Sequence, residues 1–214
     1  MNSVAMNSVA TTSDNISIAL VGVGGQGTIL ASDILAELGL KLGYDVKKAE
    51  VHGMSQRGGS VVSHVRWGSS VFSSIIPKGG ADLLVAFEKM EAVRYAELLG
   101  PEGVVIINDH AIEPLTVITG GGHYPQDDEI AQLFAGAAQR AYWIDGVGIA
   151  TGLGNKNAAN VVLLGALSDL VGLPEQEWDS VLAARVPPKH LDLNRLAFQA
   201  GRRALAPALA AQPL

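Results

Sequence analysis

The stretch Ile16-Ser-Ile-Ala-Leu-Val-Gly-Val-Gly-Gly-Gln-Gly-Thr-Ile-Leu30 decides how the rest of the chain is arranged. Ile16 to Val21 form a short apolar run that glycines interrupt. Beyond them Ile29, Leu30, Ile34, Leu35, Leu38 and Leu42 recur at helical spacing until Gly43 stops the pattern. A buried strand, a tight turn and a helix in that order open an α/β sheet. The turn, Gly22-Val-Gly-Gly-Gln-Gly27, meets the G-x-G-x-x-G template in the strand-to-helix setting that a phosphate-binding turn requires. Gly22, Gly24, Gly25, Gln26 and Gly27 are therefore candidate cofactor-binding residues. Glycines allow an anion close to the backbone, and a helix start offers free N–H groups and partial positive charge. The same glycines would equally serve a turn that only packs helix on strand. With 25 glycines in 214 residues, chance alone gives about one-third of such a match per chain.

Downstream, Tyr44 to Val51 suits a second strand, and His52-Gly-Met-Ser-Gln-Arg-Gly-Gly59 is too polar and glycine-rich for regular structure. From Ser60 to Trp67 the residues alternate, with Val61, Ser63, Val65 and Trp67 on one face and Val62, His64 and Arg66 on the other. Gly68-Ser-Ser70 then leads into Val71–Ile76, so the expectation is a hairpin inserted between those two segments. Strands at Leu83–Phe87, Val104–Asn108 and Ala141–Ile144 alternate with helices near Glu88–Leu99 and Asp127–Gln139. Helices at Asn157–Leu170, Glu175–Ala184 and His190–Leu205 follow. The expected fold is α/β: a Rossmann-like, mostly parallel sheet with helices on both faces, an inserted β-hairpin and a helical C-terminal part. One domain over residues 15–206 is expected, with a disordered leader at 1–14, which repeats Met-Asn-Ser-Val-Ala, and a flexible tail at 207–214.

Composition narrows the function. The formal charge is −6, from 21 acids and 15 bases, and the scattered Lys and Arg form no stripe that would neutralise phosphates of a nucleic acid. Only 17% of residues are charged and the mean hydropathy is +0.26, yet no run reaches the ~20 apolar residues that span a bilayer. A buried subunit interface or an ordinary Gly/Ala/Val/Leu-rich core explains such apolarity equally well. The amino terminus lacks the basic region and apolar run of a signal peptide, so a cytoplasmic protein is expected. There is no cysteine, which excludes thiolate nucleophiles and cluster ligands from this chain.

In an open α/β sheet the binding crevice lies beyond the carboxyl ends of the strands, which here would bring Glu50, Glu88, Asn108 and Asp145 beside the glycine turn. Each also has a plain role: Glu88 at a helix start, Asp145 as a cap or turn. Glu50 stands where a dinucleotide enzyme keeps its ribose-binding acid, but a polar loop follows it instead of a helix, so an NAD-dependent dehydrogenase or stand-alone nucleotide binder is the lesser reading. In the connector, Arg57 offers a planar fork for a carboxylate or phosphate, or for an acid of its own chain. Its neighbours Met54, Ser55, Gln56, Gly58 and Gly59 share the candidacy. His52 adds to the crevice, while neither it nor His64 has partners at metal-ligand spacing, and no metal site is expected. Asn160, at the start of an apolar helix, either lines the same crevice or satisfies nearby backbone groups.

Together, Val21–Gly27, the string Glu50-Val-His-Gly-Met-Ser-Gln-Arg-Gly-Gly-Ser60, Val62-Ser-His-Val-Arg66 and Asn160-Val-Val-Leu-Leu-Gly-Ala-Leu167 resemble the gamma domain of 2-oxoacid:acceptor oxidoreductases, over about residues 16–200. Ile76-Pro-Lys-Gly79, Leu83–Glu88 and Glu91-Ala-Val-Arg94 most resemble the small subunit of the branch acting on indolepyruvate. The resemblance implies oxidative decarboxylation of a 2-oxoacid on thiamine diphosphate, electron transfer through iron–sulfur clusters to ferredoxin, and acyl delivery to coenzyme A as co-substrate. This chain has neither cluster cysteines nor a Gly-Asp-Gly motif. By the resemblance, thiamine diphosphate, Mg2+ and [4Fe-4S] clusters belong to a catalytic alpha subunit, this chain binds none of them tightly, and it is inactive alone. A gamma subunit serving pyruvate, 2-oxoglutarate or 2-oxoisovalerate is the alternative within the family, and a homodimer is open to the isolated chain.

Overall fold

The computed structural model describes residues 15–53 and 59–210. Six strands form one sheet: β1 (Asn15–Val23), β2 (Asp45–His52), β3 (Ser60–Gly68), β4 (Ala81–Ala86), β5 (Leu99–Asn108) and β6 (Arg140–Ile144), in the order β2-β3-β1-β4-β5-β6. β4 runs parallel to β1, β5 to β4 and β6 to β5; β3 is antiparallel to both β1 and β2, so it alone opposes the others. The sheet is thus mostly parallel.

Helix α1 (Thr28–Lys41) returns the chain from β1 and buries Ala31, Ile34, Leu35 and Leu38. These meet Ile18 and Leu20 of β1 and Val65 and Trp67 of β3 in a core that also takes Leu83, Val85, Val104 and Ile106. Each such aliphatic side chain contributes about 1.5–3 kcal/mol by leaving water. The rest of this layer comes from α5 (Gly146–Gly152), α6 (Ala159–Val171), α7 (Glu175–Arg185) and α8 (Pro188–Ala210). On the opposite face Ala19, Val21, Val62, Leu84, Ala86, Val105 and Ile107 pack under α2 (Lys89–Arg94) and α4 (Asp127–Ala137), which supply Ala92, Ile130 and Phe134. A single turn, α3 (Leu115–Ile118), sits in the excursion after β5. Among the described residues no helix is long and apolar enough to cross a membrane.

Three expectations need correction. The antiparallel excursion exists, but it joins β2 to β3; Val71–Ile76 forms no strand. Side chains take the amides a ladder would have used: Val71 N–H donates to Asp45, Ile75 N–H to Ser73 and Ile76 N–H to His64. Val71 and Ile76 are buried while Phe72 is 96% exposed, so the segment follows no strand periodicity. The last helix also runs to Ala210, beyond its expected end at Leu205 and through Pro207. The expected helix at Glu88–Leu99 is shorter too. It becomes a 3-10 turn at Ala96–Leu98, and β5 begins at Leu99.

Candidate functional site

The register fixes the site's frame. Val21 pairs with Ala86, Ala86 with Ile107 and Asn108 with Ile144, while Val62 lies opposite both Val21 and Val51. The carboxyl ends of β1, β2, β4, β5 and β6 therefore lie along one rim, which carries Gly22–Gly27, Glu50, His52, Glu88, Asn108 and Asp145.

The turn after β1 is held from within. Gln26 accepts the Val23 N–H at 2.8 Å and donates its side-chain amide to the Phe87 carbonyl at 2.8 Å, so it ties β1 to the end of β4. Gly27 adopts φ +80°, and a Cβ there would stand 2.6 Å from Asn160 Nδ2. Asn160, almost fully buried, donates toward the Gly27 carbonyl at 3.4 Å and accepts the Val161 N–H at 2.9 Å. Gly27, the N-cap of α1, has no capping side chain and the first turn holds no acid, so among the described residues the positive end of the helix is left open. A cleft of about 470 Å³ lies against it, lined by Gly24, Gly25, Gly27, Thr28, Ile29, His52 and Val61.

Both described ends of the connector reach this cleft. His52 lines it, and Gly59 accepts the Gly24 N–H at 2.9 Å. Met54, Ser55, Gln56, Arg57 and Gly58 lie outside the described residues.

The acids on the rim are engaged in structure. Glu50 pairs with Lys48, which also binds Asp33, and Ser32 donates to Glu50 at 3.4 Å. Partial burial works against the Lys48 charge, but the two carboxylates more than offset it and hold its pKa above the ordinary lysine value. Glu88, 1% exposed, caps α2 by accepting the Glu91 N–H at 2.9 Å, and it also accepts the Ile112 N–H and the Tyr124 hydroxyl. Burial, and then the Glu88 carboxylate, push the Tyr124 phenol well above its usual range. Asn108 braces two strand ends, donating to the Phe87 carbonyl and accepting the Gly146 N–H, both at 2.9 Å. Asp145 caps α5 through the Gly148 N–H at 2.7 Å. His64 is buried away from the cleft, and burial lowers its pKa. Among the described residues no cluster of three His, Cys, Asp or Glu could hold a metal ion.

The sequence placed Ile29 and Val61 only in the helix and strand patterns and Glu91 only in the family resemblance, and named neither these nor Thr28 as part of the site, although Thr28, Ile29 and Val61 line the cleft. Glu91 is buried beside the rim, and burial, offset in part by the Ser60 hydroxyl and Arg94, raises its pKa. Its place in a helix start directly after β4 was the available signal.

A mostly parallel α/β sheet with a glycine-lined cleft at its carboxyl rim, walled by the ends of a second glycine-rich connector, defines the class. Over residues 17–204 the chain matches the family described as pyruvate ferredoxin/flavodoxin oxidoreductase, and it belongs to that family. It is 41% identical over 192 residues to the indolepyruvate oxidoreductase subunit IorB of Thermococcus kodakarensis, covering 87% of this chain and 94% of that one. The subunit of the same name from Pyrococcus horikoshii is 40% identical over 190 residues, with 87% and 94% covered. Among solved structures, the gamma subunit of a keto/oxoacid ferredoxin oxidoreductase from Geobacter sulfurreducens superposes with a TM-score of 0.67 at 27% identity, covering 92% of this chain and 99% of that one.

Proposed function

We propose that this chain is the accessory subunit of a 2-oxoacid:ferredoxin oxidoreductase that converts aryl 2-oxoacids, indolepyruvate foremost, to aryl-acyl-coenzyme A and CO2 while reducing ferredoxin. The observation that carries the reading is the cleft in which the Gly24–Gly27 turn meets His52, Val61 and the flank of the His52–Gly59 connector. It occurs in a chain similar to subunits named for indolepyruvate oxidation.

The chain's own part is to bind and orient. The backbone amides of Gly25 and Gly27, beside those of Gly24 and Gln26 that hold the turn itself, the start of α1 and the guanidinium of Arg57 suit the phosphates of coenzyme A, and they would present its thiol to a reactive centre on another polypeptide. Thiamine diphosphate and the clusters supply decarboxylation and electron transfer when bound, and their seat is the catalytic alpha subunit. A chain without cysteine has no thiolate to ligate a cluster, so no step of that chemistry is assigned to these residues. Residues 15–206 act as one unit in this arrangement.

Co-expression with a large thiamine-binding subunit tests it. The two chains should elute together at fixed stoichiometry, and added coenzyme A should protect the complex against thermal dissociation. Persistent separate elution, with each chain folded, would refute the assignment.

A further inference from the structure

The Glu91-Ala-Val-Arg94 motif lines no part of the cleft, yet its first residue reaches the cleft's edge through one intermediary. Glu91 lies in the first turn of α2 and is 5% exposed. One carboxylate oxygen accepts Arg94 Nε at 3.1 Å and the other accepts the Ser60 hydroxyl. The Tyr95 hydroxyl lies 3.0 Å from the same Ser60 oxygen. Ser60 is the last partner in the β1–β3 ladder, opposite Val23, and the preceding Gly59 carbonyl receives the Gly24 N–H. The end of a ladder is where pairing frays first, and here only the Gly24–Gly59 bond and the Gly53 N–H on the Ser60 carbonyl continue it. A charge-assisted hydrogen bond placed there resists that fraying.

We propose that Glu91 is a positioning residue for the glycine turn. By holding Ser60 it fixes the Gly59 carbonyl on the Gly24 amide, and so sets the backbone orientation of Gly24 and Gly25, which line the cleft. The consequence for coenzyme A rests on the function proposed above; the tether itself does not.

Hydrogen exchange at the Gly24 amide, followed by NMR on the whole chain, reads the tether directly. Ser60→Ala should speed that exchange about tenfold while the core amides of β4 stay unchanged. Ser60→Thr, which keeps the hydroxyl, should stay within about twofold of the parent. Glu91→Ala should speed it as well, by no more than Ser60→Ala, which also removes the Tyr95 contact, and the double variant should go no further than Ser60→Ala, since the Glu91 tie runs through Ser60. If Glu91→Ala does not fold, the Ser60 pair decides alone. Unchanged Gly24 exchange in Ser60→Ala, or single effects that simply add, would overturn the inference. In the assembled enzyme, Ser60→Ala should raise KM for coenzyme A severalfold with kcat within about twofold, and Ser60→Thr should restore it. Faster Gly24 exchange with an unmoved KM would keep the tether and overturn the cleft's proposed role.

Discussion

Replacing Gly27 with alanine probes the turn and its support at once. Gly27 holds φ +80°, a conformation that costs an L-residue roughly 1–2 kcal/mol. The new methyl would stand 2.6 Å from Asn160 Nδ2 and 3.1 Å from its Cγ, so the buried amide must swing away. A displaced amide that loses its partners costs a further ~1–3 kcal/mol. Loss of glycine's freedom in the unfolded chain returns about 0.4–1 kcal/mol. The net expectation is a loss of roughly 2–4 kcal/mol in urea unfolding of the isolated chain, with the slope unchanged. In an Asn160→Ala background the clash disappears, and the same substitution should cost only about 0–1.6 kcal/mol. A cost below ~0.5 kcal/mol in the parent, or equal costs in the two backgrounds, would refute the claim that Gly27 and Asn160 interlock.

The other expectations concern the connector, the helical layer and pH. Arg57→Ala should impair the assembled enzyme, through assembly or turnover, while leaving the melting temperature of the isolated chain nearly unchanged; a collapse of that temperature would mean that Arg57 serves its own fold. Gly201→Ala should destabilise by about 3 kcal/mol or more in chemical denaturation, because its methyl would fall 1.8 Å from the Val162 carbonyl oxygen where α8 crosses α6. His64, whose folded pKa lies below the ordinary 6.5, binds a proton more readily when unfolded. Stability should therefore fall as pH drops through about 6.5, and NMR should show the His64 ring titrating below the ordinary 6.5.

The periodicities that sequence displays are those that burial imposes, and these were readable. The apolar residues of Ile16–Val21, the buried stripe of α1 and, in β3, Val65 and Trp67 all reappear as core contacts. What sequence does not display is partnership. Val71–Ile76 has strand-forming residues, but Asp45, Ser73 and His64 claim its amides, and those side chains come from elsewhere in the chain or bend locally. Helix α5 was invisible because Gly146, Gly148 and Gly152 are poor helix formers; the Asp145 cap and the Asn108 brace hold its start. The site divides in the same way. The topology of a parallel sheet dictated that Glu50, Glu88, Asn108 and Asp145 would share a rim with the glycine turn. That each carboxylate and amide there is engaged in capping, bracing or pairing required coordinates. Glu91 reaches Ser60 across thirty-one positions of chain, a distance no local pattern records.

The most direct test of the account is indolepyruvate- and coenzyme A-dependent ferredoxin reduction by this chain alone, by its large partner alone, and by the two combined. Full turnover only in the combination is the predicted result. Turnover by this chain without a partner, or undiminished turnover by the partner without this chain, would contradict it.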